Sequence, residues 1–214
     1  MSVIEGGGSS GLVQRVQDIL LRPKPTWDVI DGETATVQGL FTKYICILAA
    51  LPAISTVLGN LLLAPLLNNL VAYSLPGVIV LALLNYVGAL IGCYVFAFVV
   101  DMLAPSFDGQ KGLTQAMKGV AYGGTAAWVG GGLAFIPLLG WLAALAGGLY
   151  SLYLFYLGLP KMMKVPEAKA LGFVVVSIIV VVVIQFAISA VVGSMVLMAG
   201  LGAAATGAAA GLLR

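Results

Sequence analysis

The forty residues from Gly119 to Gly158 carry no charged side chain, and that run limits what the whole chain can be. At about 1.5 Å per residue, one continuous helix of this length would measure about 60 Å, twice the roughly 30 Å of hydrocarbon that a membrane-spanning helix crosses. Length alone excludes a single crossing. Near the middle stands Ile136-Pro137-Leu138-Leu139-Gly140, where proline removes a backbone donor and glycine tolerates a sharp turn. The run therefore reads as two helices joined by a tight turn. Lys118 precedes it and Lys161 follows it, so a hairpin keeps both basic flanks on one side. Short loops rich in Lys and Arg stay cytoplasmic, which assigns that side to the cytoplasm.

The rest of the chain has the same character. Hydrophobic residues make up 61% and charged residues 8%, with a mean hydropathy of +1.11; a soluble domain has about a quarter of its residues charged. Every charge falls outside three apolar blocks, 44–100, 119–160 and 170–213. The fold class expected is all-α, a polytopic bundle of five transmembrane helices. Their spans are about 44–64 (interrupted by Pro52), 78–100, the two arms of the central hairpin, and 171–196. Along this path Arg15, Arg22, Lys24, Lys43, Lys111, Lys118, Lys161, Lys164 and Lys169 lie inside and Arg214 outside, so the N-terminus is cytoplasmic and the C-terminus external. The multi-pass protein is accordingly expected in the cell's inner, cytoplasmic membrane.

Four regions follow. Residues 1–11, MSVIEGGGSSG, lack the basic and apolar stretches of a secretory signal and read as a flexible tail. In 12–38, Leu12, Val13, Val16, Ile19 and Leu20 recur at helical spacing before Pro23 and Pro25. Thr26 is placed to cap a second short helix containing Trp27. This amphipathic segment suits the headgroup plane, partner recognition, or packing on the cytoplasmic ends of the spans. Residues 39–199 form the membrane domain, and 200–214 an Ala/Gly-rich tail. Arg15, Arg22, Trp27, Lys161, Lys164 and Lys169 are the candidates for contact with the membrane surface or a partner.

Chemistry is sparsely provided. The spans contain no Asp, Glu, Lys, Arg or His, so neither acid–base catalysis nor a proton path is expected at depth. Cys46 and Cys93 lack CxxC spacing, and with no histidine a zinc or haem site has almost no ligands. Asp101 and Asp108 share a loop without the further oxygen ligands a cation needs. No cofactor, metal or catalytic residue is assigned, and no basic stripe points to nucleic acid. Asn60, Asn85, Thr125, Ser151, Ser177, Gln185 and Ser189, with Tyr150, Tyr153 and Tyr156, are the neutral polar groups of the spans. Each is able to bond across helices, and such bonds are ordinary structural glue.

Glycine is the exception to this blandness. Gly119, Gly123, Ala127 and Gly131 follow helical spacing on span three, and Gly140, Ala144 and Gly147 do so on span four. Two stripes of small residues allow backbones to approach closely where lipid supplies no hydrophobic drive.

Four segments, ILLRPKPTWDVI, FDGQKGLTQAMKGVAYG, IPLLGWLAALAGGLYSLYLFYLGL and KVPEAKALGF, together resemble the Yip1 family, more closely its bacterial members, over about Ile19 to Gly193. The resemblance implies five spans after a cytoplasmic N-terminal region. A proline often found after the AY pair is replaced by Gly123-Gly124-Thr125-Ala126, so the bend implied in span three loses its usual cause. Eukaryotic relatives are associated with vesicle trafficking and contacts to small GTPases; the short N-terminal region here lacks their longer cytoplasmic domain. The function expected is non-catalytic, through contacts with membrane lipids, other membrane proteins or a second copy, as an accessory subunit or organising factor. The alternative is a transporter of a small molecule or lipid with a neutral intramembrane cavity.

The charge asymmetry makes a direct prediction. In a Cys46→Ser, Cys93→Ser background, an impermeant thiol reagent added to intact cells should label a cysteine at position 206 and spare one within LPKMMKVPEAK. The reverse pattern would invert the orientation.

Overall fold

The computed structural model describes residues 9–63 and 75–212, and among them it is all helical. In chain order the helices are α1 (Ser9–Leu21), α2 (Pro23–Gly32), α3 (Val37–Leu40), α4 (Cys46–Leu63), α5 (Leu75–Leu103), α6 (Leu113–Gly123), α7 (Thr125–Gly132), α8 (Leu139–Met162) and α9 (Glu167–Leu212). A π-helical turn, Phe41–Ile45, joins α3 to α4, and a 3-10 turn, Ala104–Phe107, follows α5. The expected flexible tail lies outside the described residues except for its last three, which open α1; most of the outer loop (64–74) and residues 213–214 also lie outside them. The Ala/Gly-rich stretch continues α9.

Among the described residues four helices, not five, are by themselves long and apolar enough to cross a membrane: Val37–Leu62, Leu75–Phe107, Leu139–Met162 and Glu167–Met195. The expected third span is divided at Gly124 into α6 and α7. No proline causes the division. Gly124 is a poor helix former, and the next residue, Thr125, turns its hydroxyl to the Ala121 carbonyl at 3.4 Å, a back-bond that bends helices.

Despite the break, α6 and α7 run antiparallel to α8 along its whole length. Gly119 lies against Leu159, Gly123 against Phe155, Gly130 against Ala143 and Gly147, and Gly140 against Leu133 and Ala134. Between them the Ala127 N–H donates to Ser151 Oγ at 2.9 Å. The seam expected from the small residues is present, with a changed register: after Gly123 the close positions are Ala126 and Gly130. Gly131 instead leaves room for Pro52 of α4, where a Cβ would sit 3.0 Å from the ring. Ala144 is half-buried, and its neighbour Ala143 supplies the close backbone contact.

The turn between α7 and α8 falls at the expected place by a different device. The residue with positive φ is Leu138 (φ 62°), not a glycine. Gly140 is already helical and buried, with 2.5 Å from its would-be Cβ to the Leu133 carbonyl oxygen. A second close approach joins α5 to α9, where Ile188 reaches to 2.8 Å of the Cβ positions at Gly88 and Gly92.

Adjacent glycines on α8 separate packing from propensity. A Cβ at Gly147 would overlap the Ala126 carbonyl, and one at Gly148 meets nothing within 4 Å. Gly147→Ala should therefore cost about 1–3 kcal/mol through overpacking. Gly148→Ala should be neutral or slightly stabilising, since a helical glycine costs about 1 kcal/mol relative to alanine. Melting temperatures in one detergent check the pair, and equal shifts would refute the seam.

Candidate functional site

Where the chain concentrates its charge is the base of the bundle, the end at which α6 begins and α8 finishes. The loop after α5 and the loop after α8 meet there: the Gln110 N–H donates to the Met163 carbonyl at 2.7 Å. Asp101 Oδ1 accepts from the Gly112 N–H at 2.6 Å, holding the start of α6, and Asp108 pairs with Lys169 at 2.5 Å. Both acids considered for a cation are thus engaged in holding loops.

Helices α1 and α2 form a hairpin that packs into this end. Pro23 opens α2, suited to a first turn whose N–H groups have no helical partner. Thr26 is not a cap; its hydroxyl donates to the carbonyls of Asp18 (3.0 Å) and Arg22 (2.7 Å) and so ties the hairpin together. Trp27, expected at the membrane surface, is 1% exposed. Its indole lies flat on Gly158 of α8, where a side chain would collide with it, and edge-on to Tyr122 at 6.4 Å between ring centroids. Arg15, also expected at the surface, is 4% exposed, paired with Glu33 and stacked 5.7 Å from the centre of the Tyr122 ring. The apolar stripe of α1 and α2 faces protein here, because α6 and α8 offer a groove lined by glycine that takes an indole.

Lys118 is the residue the sequence pattern did not single out. It is 2% exposed, and its ammonium donates to the carbonyls of Ile30 (2.9 Å) and Glu33 (2.5 Å) at the end of α2. A cation suits a helix C-terminus, where carbonyls lack helical partners and the helix dipole is negative. The only sequence signal is position: Lys118 stands one residue before the apolar run that must pack.

The other candidates divide. Lys161 pairs with Asp28, and Lys164 pairs with Asp31 at 2.5 Å, so both bind α2 rather than presenting free charge. Arg22 is exposed at the hairpin's turn. Just below, Tyr44 Oη and Thr125 Oγ1 share a hydrogen bond of 2.7 Å between α7 and the π-helical turn. Tyr150 Oη donates to the Leu20 carbonyl at 2.8 Å. Thr125 and Ser151 thus act across helices, whereas Asn85 bonds within its own helix, to Leu81. Gln185 and Ser189 are exposed, and Ser177 is buried. Toward the opposite end, Ser55, Thr56, Gly59, Asn60, Val78, Leu81 and Ala134 line a cleft of about 310 Å³.

Removing the lysine ammonium takes the Lys118 donor from the part-buried Glu33 carbonyl and leaves the Ile30 carbonyl with the Glu33 N–H alone, which costs about 1–3 kcal/mol. Lys118→Met should lower the melting temperature accordingly, while Lys111→Met, at an exposed position, should stay within about 0.5 kcal/mol of wild type. Equal stability of the two variants would show that Lys118 does not hold the hairpin.

A sequence model of the Yip1 domain matches residues 18–190. Two relatives, each called inner membrane protein YohC, come from Escherichia coli K12 and Escherichia coli O6:H1 (strain CFT073). Each is 26% identical over 166 residues, covering 75% of this chain and 85% of the relative. No solved structure matches. The domain match runs from the docked hairpin, through the glycine seam, into α9, and on it the chain belongs to the Yip1 family of integral membrane proteins.

Proposed function

We propose that this protein is a non-catalytic component of the inner membrane that works by contact with other membrane proteins or lipids. The observation that carries the reading is the use made of charge. Arg15, Lys118, Lys161, Lys164 and Lys169 each engage the chain's own carboxylates or carbonyls. Such pairs fix the shape of a surface. The name of the relatives supports the inner membrane as the location.

The same charges support an orientation. With the base in the cytoplasm, the N-terminus is inside, and α6–α7 crosses as two half-helices alongside α8. The C-terminal end of α9 is then external. The broken crossing is supported by its course: α6 and α7 together follow α8, with Lys118 at the base and Gly119 to Gly132 lying deeper. A second reading, a transporter for a small neutral solute, draws on the cleft beside Ser55 and Asn60.

Purification from native membranes in mild detergent, followed by identification of what co-purifies, tests these readings. A stoichiometric membrane-protein partner is expected. A monodisperse protein that releases no partner and moves a neutral solute across proteoliposomes would replace the contact reading with transport.

A further inference from the structure

The α1–α2 hairpin does not lie flat on the base. Asp31 and Asp28 meet Lys164 and Lys161, Trp27 lies on Gly158, and at the turn Leu20 meets Tyr150. From Lys161 down to Tyr150 is eleven residues of α8, or about 16 Å of rise. Helical side chains lean toward the helix N-terminus, here the far end of the bundle, so the tyrosine's reach carries Leu20 deeper rather than back. The headgroup layer on each side of a bilayer is roughly 5–8 Å thick. Measured from Lys161 at the water side of that layer, the turn reaches through it and about 8–11 Å into the hydrocarbon, a depth from which long basic side chains extend back to the phosphates.

What the turn presents there is Leu21, 78% exposed, followed by exposed Arg22 and Lys24. The acids of this segment are already paired: Glu33 with Arg15, Asp28 with Lys161 and Asp31 with Lys164. Asp18, one turn earlier, is half-buried. Among the described residues neither Arg22 nor Lys24 has an ion-pair partner. An apolar side chain beside two cations on long stems matches the boundary where acyl chains give way to phosphates. Resting on the contact reading and the orientation above, we propose that the turn Leu20–Pro25 is a wedge in the cytoplasmic leaflet that binds the phosphates of anionic phospholipids through Arg22 and Lys24.

Two measurements on the full chain test this. In the Cys46→Ser, Cys93→Ser background, spin labels are placed by Leu21→Cys and by Gly32→Cys in phosphatidylglycerol/phosphatidylcholine vesicles. The label at position 21 should collide severalfold more with oxygen, relative to a water-soluble nickel chelate, than the label at position 32. Equal ratios would overturn the wedge. In the second, native mass spectrometry compares binding of phosphatidylglycerol and phosphatidylcholine. A basic side chain at an anionic surface is worth about fivefold in binding, so Arg22→Gln/Lys24→Gln should reduce the phosphatidylglycerol preference about twenty-fivefold with melting unchanged. An unchanged preference would overturn the assignment, as would complete competition by inorganic phosphate, which would make the site one for free phosphate. A missing co-purifying partner bears on the contact reading alone, because neither lipid measurement depends on it.

Discussion

The backbone of α7 touches the backbone of α8, and the rest of the molecule is arranged around that contact. At Gly130 and Gly147 each helix lacks a side chain where the other passes, so main chain meets main chain at Ala143 and Ala126. In lipid, burial of apolar surface gives helices little reason to associate, and close packing with polar contacts supplies it. Once these helices are locked, the positions of Gly158, Tyr122 and Lys118 are fixed relative to one another. Those residues form the receiving surface for the N-terminal hairpin. The polar base is therefore a consequence of an apolar seam more than 10 Å away along α8, since eleven residues separate Gly147 from Gly158.

Most of this framework was legible in the residue pattern. The length of the uncharged run and Pro137 located the central turn, and the spacing of glycines located the seam. Its register was misplaced beyond Gly123 because a regular helix was assumed through Gly124. The break there advances the close positions to Ala126 and Gly130 and turns Gly131 toward Pro52. The same break removes the fifth continuous helix. Gly140 suits both the turn and the small-residue stripe by its spacing; in the structure Leu138 adopts the turn's backbone angles, and Gly140 serves the stripe through its missing side chain.

The candidate site was less legible, for a physical reason. An amphipathic stripe records that one face avoids water and says nothing of whether lipid or protein covers it. Trp27 fits a headgroup layer as well as it fits a glycine notch, and only the position of Gly158 decides between them. The partners of Arg15 and Lys118, Glu33 and the end of α2, sit at sequence separations that no local spacing rule connects. Family membership is the part the motifs identified directly, since it needs their order and not their contacts.

The placement of Trp27 over Gly158 has a consequence for synthesis. The hairpin leaves the ribosome before its seat, which is made 131 residues later, as the numbering shows. At about 5–20 residues per second, the indole and the buried Arg15–Glu33 pair wait roughly 7–26 s for the surface that will cover them. Throughout that interval the segment is an unattached amphipathic helix pair beside the bilayer, and its two prolines and exposed Arg22 and Lys24 keep it from entering as a span of its own. The helices that form the seat are threaded while the hairpin stays outside, so its docking waits until α8 has been made.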